Sequence, residues 1–189
     1  MRDAHVREAL RGRLEAEHAA DRASTLLVDE LGLCGQVRVD VAVVNGALSG
    51  YELKSAQDTL KRLPAQVEVY SRVLDHATLV VAQNHVGHAQ PLLPAWWGLI
   101  EARWDGEQVD LVDRLEPQPN PGIDAHSLVQ LLWRDEALDE LAVRGLDVGV
   151  RGKPRTAIWS RLADEVPLHE LRTAVRMKLR ARASWRSAR

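Results

Sequence analysis

The segment QVRVDVAVVNGALSGYELK, residues 36–54, decides the fold. Valines at 37, 39, 41 and 43 alternate with other side chains, which is the period of a β-strand. Asn45-Gly46 marks a tight turn, and ALSGYELK continues as the second arm of a hairpin. The register of that hairpin matters because it carries Asp40, Glu52 and Lys54. A two-residue Asn45-Gly46 loop pairs Val44 with Ala47 and turns Asp40 away from Glu52. A three-residue loop of Val44, Asn45 and Gly46 pairs Val43 with Ala47 instead, which sets Asp40 opposite Gly50 and on one face with Glu52 and Lys54. A bulge at Gly50 has the same effect. Sharing of the face therefore predicts an odd loop or a bulge.

Outward from the hairpin, Val6, Ala9, Leu10 and Leu14 recur at helical spacing, and residues 3–20 read as an amphipathic helix. A second helical stretch is expected over 22–31, carrying Leu26, Leu27 and Leu31 and stopping at Gly32. After the hairpin, DTLKRLPAQVEVYSRVL (58–74) returns to helical spacing with a break near Pro64. ATLVVA (77–82), apolar on both faces, reads as a central strand. A short helix around 85–93, the strand WWGLIEA, a turn at Asp105-Gly106 and the strand QVDLV follow. EPQPNPG (116–122) reads as a linker, and helices are expected at 125–143, 155–165 and 168–183. The class is α/β: a core over 1–115, a proline-rich linker over 116–122, and a helical basic appendage over 123–189.

At 189 residues, 46% hydrophobic and 28% charged, the chain has the composition of a globular protein. Its charged N-terminal stretch reads as neither a signal nor a transit peptide. No apolar run reaches membrane-spanning length, and no membrane partner is expected. Cys34 is the single cysteine, which excludes an internal disulfide and fits a reducing, cytoplasmic setting. Four lysines against 21 arginines, with no phenylalanine, point to a GC-rich bacterial genome. The net charge of −2 hides an asymmetry: residues 1–143 hold 13 basic and 23 acidic side chains, whereas 144–189 hold 12 basic and 4 acidic. A basic block on an acidic body is a footprint of nucleic-acid binding, and equally of a solvated helical tail.

An isolated acid in the valine-rich run around Asp40 is unusual for a buried strand. Two carboxylates facing each other in such a hairpin repel, and burial raises the cost of charging both. A divalent cation removes the conflict, and Mg2+ suits a site with few carboxylates, retained waters and phosphate oxygens. Lys54 stands in a chain that otherwise favours arginine, and a compact ammonium is not interchangeable with a guanidinium. Beside a metal it would position water or stabilise charge on a phosphoryl group.

Asp40, eleven further residues, and then Glu52-Leu53-Lys54 after a hairpin resemble the PD-(D/E)xK nuclease superfamily. Gln66-x-x-x-Tyr70, at i and i+4 on the next helix, is similar to the QxxxY element of its RecB and lambda-exonuclease branch. The resemblance covers roughly residues 1–115 and is nearest to small stand-alone bacterial members. It implies a restriction-endonuclease-like αβββαβ core with a mixed central sheet, Mg2+ or Mn2+, and hydrolysis of DNA in repair, recombination or defence. It makes Asp40 and Glu52 metal ligands, Lys54 the catalytic lysine, and Gln66 and Tyr70 supports for the substrate strand or the ligands. An acid from the first core helix often joins the ligands, and Glu30, or else Asp29, is the expected one. The proline of the family pattern is absent, since Val39 precedes Asp40.

In the last helix Leu168, Leu171, Val175 and Leu179 form an apolar seam, and Arg172, Arg176 and Arg180 a basic stripe extended by Lys178, Arg182 and Arg186. With Arg151, Lys153 and Arg155, the three stripe arginines are expected to contact phosphates. DNA is the expected partner, RNA stays open on the same chemistry, and a homodimer is compatible with the sequence. The competing reading is a catalytically inactive nuclease-fold adaptor that binds nucleic acid. GVRGKP lacks phosphate-loop spacing, and His85 and His88 lack a third zinc ligand.

Overall fold

A computed structural model describes residues 1–182. Helix α1 (Asp3–Glu17) precedes the strands β1 (Leu26–Leu33), β2 (Val37–Val44) and β3 (Leu48–Lys54). Helix α2 (Leu63–Ser71) leads to β4 (His76–Ala82), and the short α3 (Val86–Ala89) to β5 (Gly98–Trp104) and β6 (Val109–Leu115). Helices α4 (Ala125–Leu128), α5 (Arg134–Ala142), α6 (Arg155–Glu165) and α7 (Leu168–Ala181) complete the described residues. The six strands lie side by side in chain order, antiparallel from β1 to β3, parallel from β3 to β5 and antiparallel at β5–β6. The protein is thus α/β, with a mixed six-stranded sheet flanked by helices. Among the described residues no helix is long and apolar enough to cross a membrane.

Each face of the sheet has its own core. Val6, Leu10 and Leu14, one stripe of α1, bury against Val41, Val43, Leu53, Val80 and Ile100. The other face is covered by α2 and the helices after residue 122, in one apolar cluster running from Val28 and Leu48 through Leu128 and Ile158 to Leu179. The C-terminal helices therefore form a layer of the fold. The proline-rich segment is held along the sheet: the Gln118 amide donates to Trp96 O (2.8 Å), that of Asn120 to Asp75 O (2.9 Å), and that of Asp124 to Arg72 O (2.9 Å).

The largest departure from the expected elements is at 22–31. The segment Leu26–Leu33 is a strand, paired with β2 from Leu26↔Val44 to Leu33↔Val37. Its leucines suit either period, and the valine-rich partner decides the matter by offering a ladder and a buried face. The connecting loop is Cys34-Gly35-Gln36, with Cys34 and Gly35 both at positive φ (53° and 65°) and the Gln36 amide donating to Leu33 O at 3.0 Å. The expected helix over 125–143 is broken by an extended Leu132 and Trp133, and residues 155–165 are helical as the spacing predicts.

The β2–β3 register follows neither expected pairing. Val44 faces Leu48 and Ala42 faces Gly50, leaving a three-residue loop of Asn45, Gly46 and Ala47. The Asn45 side chain fixes that loop by accepting the Ala47 amide at 3.0 Å. Gly50 pairs without a bulge, and a Cβ there would crowd the core, 2.5 Å from Leu74 Cδ1 and 3.1 Å from Val39 Cγ1, so that Leu74 would have to shift. Continued by one step past Val41↔Tyr51, this register brings Asp40 level with Glu52.

Candidate active site

The pleat slips at Glu30 and Asp40. Before that point Val28, Ala42 and Val44 face the C-terminal helical layer; beyond it Leu31, Leu33 and Val39 do. Glu30 takes up the slip with a left-handed φ of 53°, a conformation uncommon outside glycine. The regular β2–β3 pairing ends here, and the Asp40 carboxylate takes over: its Oδ2 accepts the Leu53 amide at 2.8 Å. The parting strands leave a cleft of about 740 Å³ whose lining includes Asp3, Glu30, Asp40, Glu52, Lys54 and Gln66.

Glu52 and Lys54 stand two apart on β3, point the same way, and are 2% and 4% exposed. The Lys54 ammonium donates to Glu52 Oε1, and also to Gln66 Oε1 at 3.1 Å. The Gln66 amide donates to Glu52 Oε1 at 2.6 Å. The Tyr70 hydroxyl reaches Glu52 Oε2 and lies 3.0 Å from the Arg38 carbonyl oxygen. Tyr70 itself is fully buried and stacked on Trp97, with centroids 5.6 Å apart. The structure thus brings Glu52, Lys54, Gln66 and Tyr70 into one hydrogen-bonded cluster, with Asp40 beside it. Gln66 and Tyr70 hold Glu52, which places them behind the carboxylate instead of along a substrate strand.

Burial, and next the charge of Asp40, push the Glu52 pKa up, and the neighbouring Lys54 only partly opposes them. Burial and the charge of Glu52 push the Tyr70 phenol up as well, which keeps it a neutral donor.

Glu30 is on strand β1, not on the first core helix, and its side chain is about half exposed. Arg7 of α1 links it to Asp40: the guanidinium donates to Asp40 O (2.7 Å), Asp40 Oδ1 (3.1 Å) and Glu30 Oε1 (3.2 Å). The acid that the first helix does bring to the cleft is Asp3, 3.5 Å from Arg7 Nε. Asp29, the alternative to Glu30, is bound to Arg11 at 2.7 Å. Sequence reasoning missed Arg7 and Asp3. Their i,i+4 spacing was visible, but the strand acids that Arg7 meets lie 23 and 33 positions further along the chain.

The residues present fit a hard divalent ion of the expected kind, Mg2+ or Mn2+. Among the described residues no three His, Cys, Asp or Glu side chains gather into a metal-holding group. Magnesium does not demand such a cage, since one or two carboxylates, waters and substrate phosphates satisfy it. Asp40 and Glu52 supply two carboxylates; burial, and next the charge of Asp40, raise the Glu52 pKa, and a cation between the two would offset both.

The expected phosphate-binding arginines are largely committed within the protein. Arg172 and Arg176 point into the fold and hold Asp75, a carboxylate 2% exposed, at 2.6 and 3.3 Å. Arg151 pairs with Asp147, and Arg155 covers the Trp159 ring at 4.8 Å. Lys178 pairs with Asp139, and Arg182 with Glu136. Lys153 and Arg180 are exposed, and residue 186 lies outside the described residues. A period of four along a helix shows which arginines share a stripe but not that the stripe faces a buried acid.

Comparison with known proteins gives three findings. Protein cII of Enterobacteria phage P4 is 29% identical over 72 residues, which is 38% of this chain and 27% of that protein. The match therefore spans about a quarter of the phage protein's length. A structure of a protein of unknown function from Silicibacter pomeroyi has a TM-score of 0.39 and 23% identity, covering 66% of this chain and 82% of the other. The family model described as bacteriophage P4 protein cII matches residues 1–188, and the chain belongs to that family.

Proposed function

We propose that the protein is a metal-dependent nuclease that hydrolyses DNA phosphodiester bonds, a nuclease of the PD-(D/E)xK type acting in repair, recombination or defence. The observation that carries this reading is the gathering of Asp40, Glu52, Lys54 and Gln66 on the floor of one cleft. The element order α1-β1-β2-β3-α2-β4 supports it, being the αβββαβ order that the sequence resemblance implies.

Asp40 and Glu52 would hold Mg2+ or Mn2+. When bound, the ion would supply Lewis-acid activation of water and stabilise charge on the phosphoryl oxygens. Lys54, held by Glu52 and Gln66, presents an ammonium that orients the attacking water and offsets negative charge as it develops. Hydrolysis forms a new bond from the water oxygen to phosphorus and breaks the bond to the leaving oxygen, which takes up a proton. Gln66 and Tyr70 keep Glu52 in one rotamer, so the site needs no reorganisation as charge develops.

The test is incubation of the purified protein with plasmid and with end-labelled single- and double-stranded DNA and RNA, with Mg2+, Mn2+ or EDTA. Metal-dependent cutting is expected, and the product ladder separates endonuclease from exonuclease. Intact substrates in every lane, with nucleic acid still bound, would be the behaviour of a nuclease-fold adaptor and would overturn the reading.

A further inference from the structure

The floor of the cleft carries carboxylates, and Asp3, Glu30 and Asp58 add more around it. A polyanionic strand approaching such a surface is repelled unless cations flank it. The structure provides two. Arg38 projects from β2 beside the Cys34-Gly35 turn, and Arg62 stands at the start of α2, after the loop that follows Lys54; both line the cleft. The Arg38 side chain is 71% exposed, and its nearest carboxylate oxygen, on Glu30, is 4.0 Å away. Arg62 is likewise exposed, and among the described residues no carboxylate pairs with it. These two guanidinium groups differ from Arg172, Arg176, Arg151 and Arg182, whose charge is met by internal carboxylates.

We infer that Arg38 and Arg62 form a phosphate clamp on the cleft, gripping the sugar-phosphate backbone of a nucleic-acid strand from either side of the Asp40–Glu52–Lys54 floor. The inference rests on the nuclease reading for the identity of the strand. The clamp reads no bases. The described residues lining the cleft include no aromatic ring on which a base could stack, and the side-chain oxygen of Gln36, the amide on that wall, already accepts from Arg72 at 3.1 Å. Recognition is therefore electrostatic, independent of sequence and sensitive to salt. The C-terminal helical layer, whose stripe seemed in the sequence to be the binding surface, serves mainly to close the core.

The experiment is equilibrium binding of fluorescein-labelled single- and double-stranded DNA in EDTA, across a salt series, so that no cleavage enters. Arg38→Gln, Arg62→Gln and their double variant are compared with wild type and with a Lys153→Gln/Arg180→Gln control. Each single change is expected to weaken binding several-fold and to lower the slope of log K against log salt by about 0.7 for single strands or 0.9 for duplex. The double variant should lose about twice that slope, and the control should match wild type. Unfolding curves should coincide for all variants, since the side chains changed are exposed. Wild-type affinity and slope in the double variant, a loss confined to the control, or no binding by wild type would each overturn the clamp. Binding that depends on the clamp without metal-dependent cutting would overturn the nuclease reading and leave the clamp in place.

Discussion

A chain carrying Glu52→Gln and Lys54→Met together is expected to unfold at the wild-type temperature or above it, and to cut no nucleic acid. Both side chains are almost wholly buried, and their ion pair sits on a strand that otherwise faces an apolar core. Burying two charges costs several kcal/mol, and mutual attraction seldom returns more than that, so replacing such a pair by neutral groups of similar volume is commonly neutral or stabilising by about 1–4 kcal/mol. Here the balance is tilted further, because burial, and next the charge of Asp40, raise the Glu52 pKa. The sign follows: a carboxyl raised in the folded state contributes stability at low pH that is lost as pH rises through its folded pKa. The double variant removes that loss, so its advantage over wild type should grow from acid to neutral pH. Thermal unfolding across pH, run beside the cleavage assay, checks both halves. A large destabilisation at neutral pH would mean that the pair is kept for stability. Metal-dependent cutting by the variant would mean that the chemistry lies elsewhere.

Asp75 gives the opposite result for the same kind of group. Its carboxylate accepts the Leu48 amide at 2.6 Å and meets Arg172 and Arg176 of α7 at 2.6 and 3.3 Å. Its backbone pairs with Leu48 O and Asn120 N–H, both at 2.9 Å. One buried acid therefore ties the start of β3, the proline-rich segment and the last helix together. Asp75→Ala strands an amide and two guanidinium groups at that junction. Arg172 is 38% exposed and can turn to water, but Arg176, at 16%, has less freedom. Removing one partner of a buried charge cluster costs about 3 kcal/mol or more, which for a chain of this size lowers the melting temperature by on the order of 10 °C. Cleavage at low temperature should survive, because Asp75 does not line the cleft. Unfolding by heat and by urea measures the loss. A melting temperature within about 2 °C of wild type, less than a 1 kcal/mol change produces, would show that the cluster does not anchor the helical layer.

These two carboxylates also show what the sequence could and could not reveal. Glu52, Lys54, Gln66 and Tyr70 were legible because strand and helix periods place them locally, and the structure brings them together. Asp75 was invisible as an anchor, because its partners lie about 100 residues away and a helical stripe of arginines looks the same over solvent as over a buried acid. Strand β1 was misread for a related reason. Leu26, Leu27 and Leu31 fit a helix locally, and only the ladder to β2 selects the strand. With β1 read as a helix, Glu30 seemed the helical acid of the site, and Asp3 and Arg7 on α1 went unnoticed. The hairpin register depended on an Asn45 side-chain contact that no local pattern specifies.

On the proposed function, Asp40, where β2 parts from β3, serves a metal-dependent cleavage site. The most direct test is nicking of supercoiled plasmid by wild type and by Asp40→Asn in Mg2+, with DNA binding and unfolding followed in the same preparations. Asparagine keeps an oxygen for the Leu53 amide but removes the charge. Wild type is expected to nick the plasmid in a manner that EDTA abolishes, and Asp40→Asn to lose about a hundredfold or more, the scale on which removing one charge-stabilising group acts, with fold and DNA binding retained. Equal nicking by both proteins, or none by wild type, would contradict the proposed function.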